Sequence, residues 1–523
     1  MNPESKPGTP EFVFIHLMEK MDEDLPENPV VKNPNAPKTR LERFDLLWRY
    51  LEGNAPLPRV ADDYRSAFEQ VLRKARANYQ LLIVESMVDR SKVGNVSTAA
   101  DADFDGDEAA AQIHDMSSFP AFMSDLQTHL YTFGESYARI LMPEELLGEG
   151  ESEAPVYTDG TPPMFVAEDP RNCVGWDNPR RPGQMQAWVK IWDDELYDQQ
   201  VAVMYWDSQQ FIARREEGTY TDNFDPEEWE WSKGIPGEKP KTPMPQLKPF
   251  GGVPVVKFRN KMDMGEFEPH IDILDRIIDS TLLIMVIGWY QSFRQRAIKG
   301  NLDSGENLVD ADQINSIIKD VRDGETGELK DLFQADPGAL WLVPGDVDFW
   351  ESQVTDLQPL SGTRNDHIRE LSAVSRTPLA MFAHDDANQT SQGSEMQQKY
   401  HVDKIKDRQA RITPGLILLH QMAFAMMGDL QRAVGVQVKW SNATHVALAD
   451  KASATQQTSG VLSRKRQLVE IWGWDAATIK LNETELMQEA LMAQSLMAEA
   501  PEDNPNEGTG GGGSQEPADD GGS

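Results

Sequence analysis

The spacing of apolar side chains changes along the chain, and each change marks a different kind of element. Up to residue 133 they recur every three or four residues. Residues 12–21 carry that helical period, and residues 41–51 (LERFDLLWRYL) place Phe44, Leu47, Trp48 and Leu51 on one face. The second helix stops at Gly53-Asn54-Ala55-Pro56, where glycine suits the C-cap and proline cannot continue. Between the two, residues 25–38 hold four prolines and read as irregular chain. Residues 64–88 read as a further helical stretch, 99–108 as an acidic loop, and 119–133 as a helix ending at Gly134. The period then becomes two. Residues 137–142, 185–192, 201–207 and 211–215 are short, rich in aromatic and β-branched side chains, and predict an antiparallel meander. A long loop with six prolines spans 218–249, and 253–258 is one more strand.

At residue 268 the character changes again. From 270 to 299 nothing interrupts a helical pattern in which Ile271, Leu274, Ile278, Leu282, Met285, Trp289 and Phe293 recur every three or four residues. About 30 residues make a helix about 45 Å long. Ile273, Ile277, Val286 and Ile287 widen the apolar band, so the helix needs cover on two sides, most simply from neighbouring copies of the chain. Residues 301–357 form a segment of their own, with a short helix over 311–321, a hairpin signal at Asp323-Gly-Glu-Thr-Gly327, and strands over 339–343 and 346–349. Pro359 and Ser361-Gly362 open a second helix over 363–376, which Pro378 ends. A polar loop covers 377–394. Ser394-Glu395-Met396-Gln397 fits a capping box that starts a helix to about residue 427, kinked near Pro414. A strand over 436–440 and amphipathic helices over 451–500 follow. The pattern as a whole is α+β, mainly α.

Charge narrows the function. Against 50 Lys+Arg stand 86 Asp+Glu, a formal net charge of −36, which excludes a protein that holds nucleic acid chiefly by neutralising phosphates. Residues 501–523 contain six acids, no bases and the run Gly510–Gly513, a composition expected to be disordered. One cysteine, Cys173, excludes a disulfide framework and a multi-thiolate zinc site, and fits a reducing compartment. Residues 12–18 are too short an apolar run, follow Glu11 and lack a small-residue cleavage site, so they do not read as a secretory signal. The most apolar stretch, 281–290 (TLLIMVIGWY), is about half of the roughly 20 residues that a bilayer requires, so no membrane span is expected.

Candidate chemistry is thin. Asp101, Asp103, Asp105 and Gly106 match the first half of a calcium loop, but the twelfth position, where a bidentate Glu belongs, is Gln112. An acidic solvated loop fits better. Trp229 and Trp231 alternate with Glu228 and Glu230; such a cluster occurs in carbohydrate sites, yet an alternating strand simply turns both tryptophans inward and both glutamates out. There is no GxSxG elbow, phosphate loop, GxGxxG turn or HExxH helix, the nine histidines do not cluster at ligand spacing, and Cys173 reads as a buried thiol. No catalytic, cofactor or metal residue is assigned. Arg294, Arg296 and Lys299, at the end of the long helix, form a basic patch that could meet DNA phosphates or an acidic partner, or could simply favour the helix C-terminus. Arg464-Lys465-Arg466 reads as a solvated helix start.

The order of these parts resembles the portal proteins of tailed double-stranded DNA phages, siphophage type, over roughly residues 40–430. Leu46-Leu-Trp-Arg-Tyr50-Leu-Glu-Gly53-Asn-Ala-Pro56 is similar to the family's tyrosine-bearing N-terminal helix ending in glycine and proline. Phe133-Gly134-Glu-Ser-Tyr137 resembles the opening of one of its strands, and Val253-Pro-Val-Val-Lys-Phe258-Arg-Asn260 the strand before its long helix. Asn388-Gln-Thr-Ser391-Gln-Gly393-Ser394-Glu-Met396 resembles the turn after its tunnel loop, with a glutamine between Ser391 and Gly393 and with Met396 departing from the pattern.

The resemblance implies a wing over 1–267 and 395–435, stem helices over 268–300 and 358–376, a clip over 301–357, a tunnel loop over 377–394, a crown over 436–500 and an acidic tail over 501–523. It implies a ring, typically of twelve copies, at one capsid vertex. DNA is pumped in through that ring by the terminase large subunit and later leaves past a head–tail connector. The major capsid protein is a further partner, and a scaffold another. The implied location is the virion, after assembly in the host cytoplasm. No enzyme activity and no cofactor are implied. The channel loop residues would be Asp385, Asp386, Asn388, Gln389, Thr390 and Gln392. The nearest rival is another virion structural protein, a minor capsid protein or a connector, and a connector lacks the helix–insert–helix arrangement around 301–357. A carbohydrate-active enzyme built on the Trp/Glu segment and a calcium module at 101–112 are the readings from other classes.

Overall fold

The computed structural model describes residues 5–26, 37–57, 71–101, 106–141, 162–181, 183–216, 228–232, 241–292, 296–300, 340–344, 348–351, 355–382, 391–443, 448–474 and 476–498. The chain divides into two compact units, Met1–Ala447 and Leu448–Ser523.

In the first unit the period-two stretches 185–192, 201–207 and 211–215 build a six-stranded antiparallel sheet, whereas 137–142 leaves the expected meander and pairs in a second sheet with Val255–Arg259 and Met164–Glu168. The order of the six-stranded sheet is β4 (Cys173–Asp177), β5 (Met185–Asp194), β6 (Gln199–Trp206), β7 (Gln209–Glu216) and β8 (Glu230–Trp231), with β9 (Lys241–Pro243) also on β7. Alternate side chains leave a strand on opposite faces, so this sheet serves two cores. Ala187, Val189, Ile191, Ala202, Met204 and Phe211 go to one, which the helix Pro10–Met21 closes with Val13, Phe14, Leu17, Met18 and Met21. Trp188, Val203 and Tyr205 join the main core on the other face, with the Trp188 and Tyr205 rings stacked at 5.7 Å. Both tryptophans of the EWEW run face inward, 5.7 Å (Trp229) and 5.6 Å (Trp231) from the Phe14 ring, as the bland reading has it. Glu228 pairs with Arg215 and Glu230 is exposed.

The main core gathers the helices Arg40–Leu51, Tyr79–Val88 and Phe119–Phe133 around an antiparallel sheet of β2 (Glu135–Leu141) flanked by β10 (Val255–Arg259) and β3 (Met164–Glu168). A ladder of β1 (Val93–Ser97) with β14 (Gln437–Trp440) ties the far ends together. Where the two large sheets meet, the Glu135 carboxylate accepts from Arg40 Nη2 and pairs with Lys257 Nζ, each at 2.6 Å, and Arg40 also donates to the carbonyls of Pro170 and Cys173. Burial alone would push the Glu135 carboxyl up, but the Lys257 and Arg40 charges outweigh it and hold the group well below the usual carboxylate range.

Several expectations need correction. The stretch 64–88 is interrupted around residues 75–78, and Asn78 then caps a fresh helix by accepting from Leu81 N. The long helix ends at Ser292, not near residue 300, because Arg296–Gly300 is β11, central in a sheet with β12 (Leu340–Pro344) and β13 (Asp348–Glu351). Strand pairing on both edges overrides the helical pattern there. The second helix starts earlier, at Gln358 with Pro359 in its first turn. The helix expected from Ser394 begins at Ser391, which puts Ser394 inside it and removes the capping box, and it runs through Pro414 to Met426. The expectations at 311–321, 323–327 and 501–523 lie outside the described residues.

The second unit is helical as expected, with helices over Leu448–Gln457, Arg464–Gln467 and Ala476–Ala498, the last of which leaves Leu481, Met487, Leu491 and Met492 exposed. Ser463 caps the Arg464-Lys465-Arg466 turn.

Candidate functional site

Positions 272, 276, 279, 283 and 286 of the helix Ile271–Ser292 lie three or four apart, so their side chains share one face. Asp272, Arg276 and Asp279 make the root of that stripe charged and exposed. Further along, the same stripe carries Leu283, 52% exposed, and the half-buried Val286. The opposite face buries Leu274, Ile277 and Ile278 in the main core. From Thr281 to Trp289, the most apolar run in the chain, no side chain is fully buried. At 1.5 Å per residue the helix is about 33 Å long, and along its far half Leu282 and Met285 still pack against the main core but are only partly covered by it.

The root is rigidly held. Arg43 donates to both Glu268 oxygens at 2.7 and 2.6 Å, and Gly265 N donates to the same carboxylate at 2.8 Å. A Cβ on Gly265 would lie 2.1 Å from the Thr132 carbonyl oxygen, so only glycine lets this loop sit against the end of the helix Phe119–Phe133. Glu266 accepts from Lys404 (2.8 Å), Arg408 (2.5 Å) and Asn260 (2.9 Å), which locks the root to the long helix Ser391–Met426. Burial opposes ionisation of Glu266, yet Lys404 and Arg408 prevail and bring its carboxyl down to about 2. Tyr50 OH donates to Asp275 at 2.6 Å. Arg43, Glu268, Glu266 and Arg408 carried no sequence signal, because each bond joins residues more than a hundred positions apart.

The helix Gln358–Ser375 runs antiparallel beside it. Arg276 meets Glu370 (3.1 Å), Ser280 meets His367 (3.3 Å), and Gln291 donates to the Thr355 carbonyl (3.0 Å), so one number rises as the other falls. Between the far ends of the two helices the chain forms β11, β12 and β13, with β11 parallel to β12 and antiparallel to β13. This is a helix–insert–helix hairpin.

Of the channel-loop candidates, Asp385, Asp386, Asn388, Gln389 and Thr390 lie outside the described residues, and Gln392 falls in the first turn of the helix Ser391–Met426. Arg294 also lies outside them. Arg296 and Lys299 stand on β11, so the basic residues do not end the helix as expected. In the acidic loop, residues 102–105 are not described. Asp107 is fully committed, capping the helix Glu108–Met116 through Ala109 N and Ala110 N while accepting from Thr98 Oγ1 and Arg432 Nε. Among the described residues no group of three His, Cys, Asp or Glu is placed to hold a metal ion, and no helix is long and apolar enough to cross a membrane. Cys173 is buried, and burial pushes its thiol well up.

The family model described as phage portal protein, SPP1 Gp6-like, matches residues 34–494. Among solved structures the chain is similar to a chain of the neck of a native GTA particle computed with C12 symmetry. That pair shares 12% identity over 78% of this chain and 91% of the other, with a TM-score of 0.39. A chain from the virion of a native gene transfer agent particle gives the same values. One from the neck of an empty GTA particle computed with C6 symmetry has 11% identity, 78% and 92% coverage and a TM-score of 0.38. No curated protein matches the chain.

Proposed function

The chain belongs to the phage portal protein family of the SPP1 Gp6 type, and on that premise we propose that its copies close into a ring around a channel for double-stranded DNA. The family is structural, and its place is the capsid portal. What carries the reading is the stripe on the helix Ile271–Ser292, charged at the root and apolar beyond it. A heterologous interface repeated around a closed ring covers such a stripe on every copy and leaves none over. The helix–insert–helix hairpin supports a portal over a connector.

On the family's pattern, twelve copies assemble in the host cytoplasm, with scaffold as a possible partner, and the ring sits where the major capsid protein leaves one vertex. Residues 268–300 and 358–376 are its stem. Residues 301–357 are the clip, where the terminase large subunit docks during packaging and a head–tail connector replaces it afterwards. Residues 1–267 and 395–435 form the wing and 436–500 the crown. A strongly basic channel would grip phosphates and stall transport, whereas a chain of net charge −36 lets DNA slide. The expected loop 377–394 is narrower, because Leu379–Phe382 is a short helix with Leu379 in the main core and Ser391 already opens the long helix. The stretch between them, with Asp385 and Asp386, touches the passing DNA weakly and transiently. Replacing both aspartates with lysine is therefore expected to slow packaging severalfold and to make its velocity salt-dependent. Unchanged velocity and salt dependence in single-particle packaging assays would contradict this role.

A further inference from the structure

Outside the helix hairpin, two histidines face one another in the wing. The Nε2 atoms of His114, on the helix Glu108–Met116, and His420, on the helix Ser391–Met426, lie 2.9 Å apart. His420 is fully buried, and its Nδ1 is 2.8 Å from the Leu416 carbonyl. A carbonyl can only accept, so Nδ1 carries the proton and the lone pair of His420 sits on Nε2. His114 Nε2–H is then the donor. The surroundings are aromatic: His114 stacks on Phe119 with centroids 3.7 Å apart, and the His420 ring meets Phe165 at 5.1 Å and Phe119 at 6.1 Å. Among the described residues the carboxylate that acts on the pair is Asp107, already engaged by Thr98 and by Arg432, which also holds Asp429.

We propose that this contact is a proton-operated latch, which ties the two helices while both rings are neutral and opens when either ring gains a proton. A proton on His420 Nε2 sets two N–H groups against each other. One on His114 Nδ1 places a charge among phenylalanines. Burial accordingly pushes both rings down, His114 to about 2, with the neighbouring ring adding to the effect, and His420 to about 4 despite Leu416 and Asp107. Both values lie below the ordinary histidine range, so the latch contributes fully above about pH 6.5 and weakens as pH falls through that value.

His129, His270 and His401 are also pushed down by burial, so acid lowers stability elsewhere too, and the test has to be local. Hydrogen exchange of the full chain, followed by mass spectrometry and corrected for intrinsic rates, compares pH 7.5 with pH 5.5. Peptides covering 108–116 and 416–426 are expected to open at least roughly ten-fold more at the lower pH, with little change in 185–206. The double variant His114→Leu/His420→Leu removes both polar partners together and is expected to abolish that local difference. A difference that persists in the double variant overturns the latch. If the variant does not fold, the wild type decides alone: an equal rise in all three segments, or no rise in the first two, overturns it.

Discussion

Leu283→Asp, alone or with Val286→Asp, is expected to yield a folded chain that no longer assembles. Leu283 is 52% exposed in the single chain and Val286 half-buried, so the change extends the charged stripe of Asp272, Arg276 and Asp279 along a face that already meets water. Exposed substitutions of this kind change folding stability by about 0.5 kcal/mol or less. In a ring the same position loses the burial of its exposed half, about 0.8–1.5 kcal/mol, and forces a carboxylate out of water at a cost of at least about 1 kcal/mol more. At about 1.4 kcal/mol per factor of ten, each interface weakens at least about tenfold. Sedimentation velocity reads the outcome as a shift from assembled species to monomer, with the circular dichroism spectrum unchanged. Assembly as in the wild type would remove the stripe from the interface. Leu274→Asp is the contrasting control, because Leu274 is only 2% exposed and its change should unfold the chain.

Glu135→Ala is expected to destabilise the first unit by about 3–5 kcal/mol, since removing one partner strands the other charges in a largely buried site. Here the stranded charges are Arg40 and Lys257, each with a side chain only 11% exposed. Against a typical domain stability of about 5–15 kcal/mol this is a large fraction, and calorimetry should show it as a marked fall in Tm. The pH dependence has a definite sign. The Glu135 carboxyl lies below its ordinary range in the folded chain, so its contribution is complete above about pH 4.3 and is lost as pH falls below that. The gap between wild type and variant should therefore close in acid. A gap that is small at neutral pH, or that does not narrow, would show that the three charges are not the joint between the sheets.

The sheets and helices were far more legible in the sequence than the ionic joints between them. Strands β5, β6 and β7 announce themselves because both faces of their sheet are buried and their aromatic and β-branched residues cluster. The helix Ile271–Ser292 does so because its apolar period is uninterrupted. Strands β3 and β4 and the helix Glu108–Met116 were missed. The strands are five residues each, and the helix (EAAAQIHDM) has only Ala110 and Ile113 buried, too little to set a period. The end of the long helix was overrun because RAIKG suits helix and strand alike until β12 and β13 pair with it. The ionic joints at Glu135, Glu266 and Glu268 were illegible in principle, since nothing local in a chain of 86 acids marks which ones will be buried beside an arginine. The apolar band of the long helix was visible in the sequence. That its outward stripe turns from charged to apolar became clear only once the core fixed which face points out.

Electron micrographs of the purified full chain at micromolar concentration test the central claim most directly. End-on views should show closed rings of identical copies around an open centre. A field of single, well-folded particles that stay single as concentration rises would mean that the far half of the helix Ile271–Ser292 needs no neighbour, and would contradict the account.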